Sequence, residues 1–206
     1  MPPKKVDAKT KILDAALQVI RTKGYAATTV DDLCKAAGVT KGAFFHHFKS
    51  KDDLAVAAAQ HFSDMAQSLF ADAPYRTLPD PVDRLLAYVD FRKAILDGPM
   101  WAYTCLLGTM VQETYDSNPA IRDACQRGLD VHADALETDI AAAIQARGLD
   151  PGFSAKSLAL YMQAALQGSF ILAKAWNNRQ MVVDCLDHLK RYIAQLFETA
   201  KPGAQS

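Results

Sequence analysis

Apolar residues recur along nearly the whole chain at the three- and four-residue spacing of helices, and no stretch sustains the two-residue alternation of a half-buried strand. Ile12, Leu13, Ala16, Leu17, Val19 and Ile20 form one stripe between Ala8 and Lys23, closed by Gly24. Thr29-Val30-Asp31-Asp32 is a cap with an acid at its third position. It predicts a short second helix ending near Ala37, because Gly38 follows at once. A third short helix is predicted from behind Thr40 to about His47, and Ser50-Lys51-Asp52-Asp53 opens a long fourth to about Phe70. Residues 71–81, rich in Pro and Asp, read as a bent linker. Further helices are predicted over 81–96, 100–115, 119–147, 155–177 and 180–198, separated by turn-forming Gly, Pro and Asn. The class is all-α, with about nine helices.

Half of the 206 residues are apolar, which supports a sizeable core and excludes a disordered chain. Formal charge is zero but unevenly spread: residues 1–51 hold ten basic and four acidic side chains, a net +6 balanced by the remainder. A cationic head on an anionic body points to a polyanion partner for the head alone. Lys4 and Lys5 read as an arm that touches such a partner electrostatically.

The longest uncharged run, 157–173, is 17 residues and contains Gln163, Gln167 and Gly168, so no membrane partner is expected. The first residues lack the apolar run of a signal peptide. Cys34, Cys105, Cys125 and Cys185 lie far apart without a C-x-x-C pair, as expected of reduced thiols in a cytoplasmic protein. Neither a metal nor a cofactor is expected. The sequence has no G-x-G-x-x-G, phosphate-binding loop, H-E-x-x-H or G-x-S-x-G, so it does not read as an enzyme.

The second and third helices have the proportions of a helix-turn-helix, joined by the tight turn Ala37-Gly38-Val39-Thr40. An ordinary helical hairpin is the competing reading. Against it, the third helix is only about two turns long and opens on the small, cationic tip Thr40-Lys41-Gly42-Ala43. It then presents His46, His47, Lys49 and Lys51 where phosphates flank a helix in the major groove. Phe44, Phe48 and Leu54 read as core beside Ile12, Ala16 and Leu33.

The stretch Thr10 to Leu54 resembles the N-terminal domain of the tetracycline-repressor (TetR) family. The matching residues are Ile12-Leu13-Asp14-Ala15-Ala16, Gly24-Tyr25, Thr28-Thr29-Val30, Asp32-Leu33, Ala36-Ala37-Gly38-Val39, Lys41 to Phe48, and Lys49-Ser50-Lys51. The resemblance implies that Thr40, Lys41, Gly42 and Ala43 approach bases and that His47 and Lys51 contact phosphate, with Thr29 and Phe45 in the same DNA-facing set. Phe45 departs from the usual Tyr, which loses one donor to phosphate, roughly 0.5–1.5 kcal/mol. Residues 7–54 are thus the expected DNA-binding domain, with its fourth helix continuing to about 70, and 71–200 the expected effector-binding and dimerisation domain.

In the last helix Val182, Leu186, Leu189, Ile193 and Leu196 recur at four and three residues, a seam for packing one helix on another. Periodicity alone leaves an intrachain bundle and a homodimer interface close. The helix-turn-helix favours the dimer, because two-fold symmetry reads two half-sites. The expected interface is Leu166, Val182, Leu186, Leu189 and Ile193. Trp101, Tyr103, Thr104, Cys105, Met110, Gln167 and Phe170 are the expected lining of an apolar effector pocket, with plain core as the alternative.

The segment Cys105-Leu106-Leu107-Gly108, with Gln112-Glu113 and Asn118 to Arg122, resembles the branch of the family that contains N-ethylmaleimide-reductase repressors, which implies a sensing thiol at Cys105. A buried thiol packed with Leu106 and Met110 is the alternative. The expected function is a transcriptional regulator that binds double-stranded operator DNA, a repressor released by a small molecule or electrophile. Its rivals are a structural DNA-binding protein without an effector, and an all-helical enzyme or ligand carrier.

Overall fold

The computed structural model describes residues 7–199, so Lys4 and Lys5 lie outside it. Among the described residues there are ten α-helices and one 3₁₀ turn: α1 (Ala8–Lys23), α2 (Val30–Ala37), α3 (Lys41–His47), α4 (Lys51–Ala71), the 3₁₀ turn Pro74–Thr77, α5 (Pro81–Ala94), α6 (Met100–Tyr103), α7 (Leu106–Thr114), α8 (Pro119–Arg147), α9 (Ala155–Trp176) and α10 (Gln180–Thr199). The all-α class is as the sequence predicts. None of these helices is long and apolar enough to cross a membrane.

The chain divides into two compact units. One takes the chain through Ala66 together with Thr104–Leu129; the other takes Gln67–Tyr103 and everything from Asp130 onward. These boundaries do not follow the 7–54 and 71–200 division. The reason is apolar: Leu106, Leu107, Met110, Ile121 and Cys125 are buried in one core with Ile12, Ala16, Ile20, Leu33, Phe44 and Leu54. Truncating a fully buried phenylalanine such as Phe44 costs about 3–5 kcal/mol.

Local caps set the short helices. Asp7 accepts from the Thr10 N–H at 2.7 Å to start α1. Thr29 and Asp32 satisfy each other's backbone N–H groups in a capping box at the head of α2. Gly38 ends α2 at φ 64°, a left-handed conformation that costs a glycine nothing.

Residues 100–115 are two helices rather than the single one expected. In a continuous helix the Gly108 N–H would bond to the Thr104 carbonyl. Instead the Arg21 guanidinium donates to that carbonyl at 3.1 Å, and Gly108 N–H turns to the Cys105 Sγ at 3.4 Å. Cys105 thereby leaves helical conformation (φ −82°, ψ 125°) and caps α7. The interruption is made by a side chain 83 positions away, which no local pattern contains.

In the second unit α10 packs on α9 and α5. Lys93 and Lys190 on α5 and α10 tie to Asp187 at 2.7 Å and Asp90 at 2.5 Å. The expected linker is partly an anchor, since Tyr75 in the 3₁₀ turn is buried. The predicted dimer seam needs correction. Leu166, Val182, Leu186, Leu189 and Ile193 are all buried within the single chain, because α10 spends its seam on the chain's own helices. What α9 leaves exposed is a different stripe: Leu160, Tyr161, Ile171, Leu172 and Trp176, each 40–66% accessible.

Candidate nucleic-acid interface

The helix-turn-helix is held from beneath by apolar contacts. Phe44 is fully buried, Phe48 nearly so, and their ring centroids lie 5.7 Å apart. Burying one side of a seven-residue helix leaves the other outward. Thr40, Lys41, Gly42, Phe45 and His46 are exposed there, with Ala43 and His47 partly so. The structure therefore brings the predicted tip residues, together with Phe45 and His47, onto one solvent-facing helix.

Their individual states differ. Thr40 spends its hydroxyl oxygen on the Ala43 N–H at 3.2 Å, so it starts the helix as well as standing at its tip. Lys41 pairs with Asp31 at 2.7 Å, and that hydrogen bond raises its pKa. Asp31 was not among the predicted residues; it meets Lys41 across the turn between α2 and α3, a spacing that has no signature. Phe45 is 55% exposed, its ring edge-on to Phe44 at 5.2 Å. His46 and His47 stand edge to face at 4.8 Å.

Gly42 has ordinary helical backbone, and an added Cβ would meet only Thr40 Oγ1 at 3.7 Å, normal contact. A glycine inside a helix costs about 1 kcal/mol relative to alanine. Nothing among the described residues requires a glycine there.

Two predicted residues do structural work. Thr29 is the N-cap of α2 and holds Asp32 through both its hydroxyl and its backbone N–H. Asp32 sits far below the usual carboxylate range, first because Lys23 bonds to it and then because Thr29 does. Lys51 is directed inward: its ammonium donates to the carbonyls of Tyr25 at 3.1 Å, Ala26 at 3.4 Å and Thr28 at 3.0 Å, and lies 4.3 Å from the centre of the Tyr25 ring. Three donors on three carbonyls leave no free proton for a phosphate, so Lys51 shapes the turn before α2. The Tyr25 hydroxyl in turn donates to Asp52, which also accepts from Asn118 at 2.7 Å. Burial and then Asp52 push the Tyr25 pKa well above that of an ordinary phenol.

The expected effector lining is distributed over both units. Thr104, Cys105 and Met110 belong to the first, and Met110 is fully buried core there. Trp101 and Tyr103 on α6, and Gln167 and Phe170 on α9, belong to the second. Cys105 is partly exposed, and the Arg21 guanidinium interacts with it electrostatically. Burial lowers the Arg21 pKa to about 10, so it remains a cation at neutral pH. The Thr104 hydroxyl is buried and has no hydrogen-bond partner among the described residues. No cluster of potential metal ligands occurs among those residues.

Comparison with known proteins places this geometry. The family described as bacterial regulatory proteins, tetR family, matches residues 12–58, and the tetracyclin repressor-like C-terminal domain matches residues 81–189. The HTH-type transcriptional repressor DhaR of Mycobacterium sp. (strain GP1) is 24% identical over 196 residues, covering 95% of this chain and 93% of its own. A TetR transcriptional regulator from Chloroflexus aurantiacus superposes with a TM-score of 0.79 at 26% identity, covering 91% of this chain and 94% of that one. The reduced form of Escherichia coli NemR superposes at 0.74 and 23% identity, over 90% and 98% of the two chains, a likeness of fold.

Proposed function

Since the chain belongs to the tetR family of bacterial regulatory proteins and is a DNA-binding transcriptional regulator rather than an enzyme, we propose that it is a cytoplasmic, homodimeric repressor. In this reading each α3 enters a major groove of a palindromic operator, and a small molecule or electrophile releases the complex. The observation that carries it is the outward face of α3, where Lys41, Gly42, Ala43, Phe45 and His47 stand together on a helix anchored by Phe44. In this reading Lys41 and Ala43 meet base edges, Gly42 admits the backbone of α3 close to them, and His47 bonds to phosphate. Thr29, Thr40 and Lys51 hold the motif in shape.

The exposed stripe on α9 supports dimerisation. Leu160, Tyr161, Ile171, Leu172 and Trp176 leave an exposed apolar face on α9, the kind of surface that marks an interaction site. Pairing two copies through it sets the spacing of the two recognition helices, and an effector that binds a different spacing more tightly lowers DNA affinity by linkage.

Cys105 supports an electrophile among the effectors. It combines partial exposure, a place at the head of α7 and, one residue before it, a carbonyl that holds the Arg21 guanidinium.

Sequencing the genomic fragments that co-purify with the protein tests the regulator's specificity. One palindrome beside a few genes is the expected result; many dispersed sites would make it a structural DNA-binding protein. N-ethylmaleimide added to the operator complex should then release the parent and spare Cys105→Ser. Equal release of both would leave a pocket for a conventional small molecule.

A further inference from the structure

The second unit holds an arginine without a counter-ion. Arg92, partly buried on α5, donates through Nε to the Tyr88 hydroxyl at 2.8 Å and through one terminal nitrogen to His132 Nε2 at 2.7 Å. Its guanidinium lies 4.2 Å from the centre of the Phe70 ring and 5.4 Å from that of Tyr88. Both acceptors are neutral, and no carboxylate among the described residues lies within ion-pair distance of it. Its neighbours are served differently. Arg76 and Arg84 both reach the buried Asp139, at 2.7 and 3.3 Å. Arg76 and Arg84 thus share one carboxylate, whereas Arg92 has none.

The acceptors are also oversubscribed. Tyr88 Oη lies 2.8 Å from the same His132 Nε2 that takes the Arg92 proton, so one ring lone pair faces two donors. Such an arrangement holds only while the ring stays neutral with its proton on Nδ1. The His132 pKa agrees: burial lowers it well below the usual value, and the charges of Arg92 and Arg76 lower it further. The other terminal nitrogen of Arg92 donates to nothing among the described residues and is not fully buried.

We propose that Arg92, through the terminal N–H groups that Tyr88 and His132 leave free, is the anchor for the carboxylate of an organic acid. A carboxylate matches the planar fork of a guanidinium in two parallel hydrogen bonds and supplies the missing charge. The neighbours of Arg92 are apolar and call for an acid with an apolar body: Phe70, Tyr75, Tyr88 and Phe91 pack in one cluster with ring centroids 5.6–5.9 Å apart. The inference deepens and rests on the effector reading above, naming the ligand class that reading leaves open.

The test compares benzoate and octanoate with benzamide and octanamide, and with inorganic phosphate, by thermal shift and calorimetric titration of the full chain at neutral pH. The acids should bind and raise the melting temperature; the amides and phosphate should not. Arg92→Gln should weaken acid binding by at least about tenfold, and Arg92→Lys by less, because lysine keeps the charge and loses the fork. The parent's own discrimination between acid and amide needs no variant to fold. Amides or phosphate binding as well as the acids, no binding of either acid, or acid binding untouched by Arg92→Gln would each overturn the assignment. Acid binding that leaves the operator complex intact sustains the site and removes its role in release. Release by a neutral compound from parent and Arg92→Gln alike sustains the effector reading and overturns this anchor.

Discussion

The Glu113 carboxylate accepts the backbone N–H of Tyr25 at 3.0 Å, and its second oxygen accepts that of Ala26 at 2.7 Å. The turn after α1 has no helix of its own to satisfy these groups, so α7 supplies the acceptor. Gly24 makes room for it: a Cβ there would lie 2.6 Å from Glu113 Oε1, and the backbone is left-handed at φ 87°. Glu113→Ala should cost roughly 1–2 kcal/mol, the worth of two hydrogen bonds to a charged acceptor near the surface. Urea titration measures it, and an unchanged midpoint would mean that the turn holds without α7.

Gly42→Ala should separate stability from function. Alanine gains up to about 1 kcal/mol of helix propensity and meets no obstacle within the chain. Operator affinity should nonetheless fall, because the new methyl stands between α3 and the groove. A melting curve and fluorescence anisotropy on one preparation give both numbers, and undiminished affinity would move the DNA-facing surface elsewhere.

Lys41→Ala and Lys51→Ala should fail in different ways. Removing Lys41 breaks only its exposed pair with Asp31, so folding is unaffected while the preferred operator sequence shifts. Removing Lys51 strips three carbonyls and the Tyr25 ring of their cation, so thermal stability drops along with affinity for every sequence. Stability of the two variants and selection of bound sequences from a random pool distinguish these outcomes. A Lys51→Ala protein that melts as the parent does, with a flatter salt dependence, would make Lys51 a phosphate ligand after all.

Ile171→Glu should yield a folded monomer, visible by sedimentation at micromolar concentration, because it charges the exposed face of α9. Leu189→Glu should instead unfold the second unit, since that side chain is buried inside the chain and the charge would have no partner. A folded, dimeric Ile171→Glu protein would place the interface elsewhere.

The seam shows where sequence periodicity stops being informative. The four–three spacing of Val182, Leu186, Leu189 and Ile193 does state that α10 packs on a helix; whether that helix belongs to the same chain is not encoded in spacing. The caps were legible for the opposite reason: Thr29 with Asp32, and Thr40 with Ala43, interact three residues apart. The tip of α3 was legible likewise, as one short run. Arg21 on the Thr104 carbonyl, Lys51 on the Tyr25 turn, and Arg92 with His132 join positions 26–83 residues apart, and such contacts exist only once the chain has folded.

Acid should destabilise the second unit through His132. Its folded pKa is depressed by burial, then by Arg92 and Arg76, whereas the unfolded chain keeps the ordinary value near 6.5. Below that value the unfolded state binds a proton that the folded state refuses. Stability is therefore flat above pH 6.5 with respect to this group and falls as pH drops beneath it, by up to about 1.4 kcal/mol per pH unit. His132→Gln should remove that part of the slope in denaturant titrations between pH 7 and 5; an unchanged slope would assign the acid sensitivity to other groups.

The exposed face of α9 and the outward face of α3 belong to separate units, and the separation has a genetic consequence. In the proposed homodimer, a substitution at Gly24 disturbs the unit that holds α3, one at Gly42 disturbs only the outward face of α3, and both leave α9 able to pair. In a cell that also carries the intact gene, the damaged chains recruit good ones into mixed pairs with a single working recognition helix. With equal expression and random pairing only a quarter of the pairs keep two. With that pairing, alleles of this kind should be dominant over the wild type and lesions in α9 recessive, because a chain that cannot pair cannot interfere.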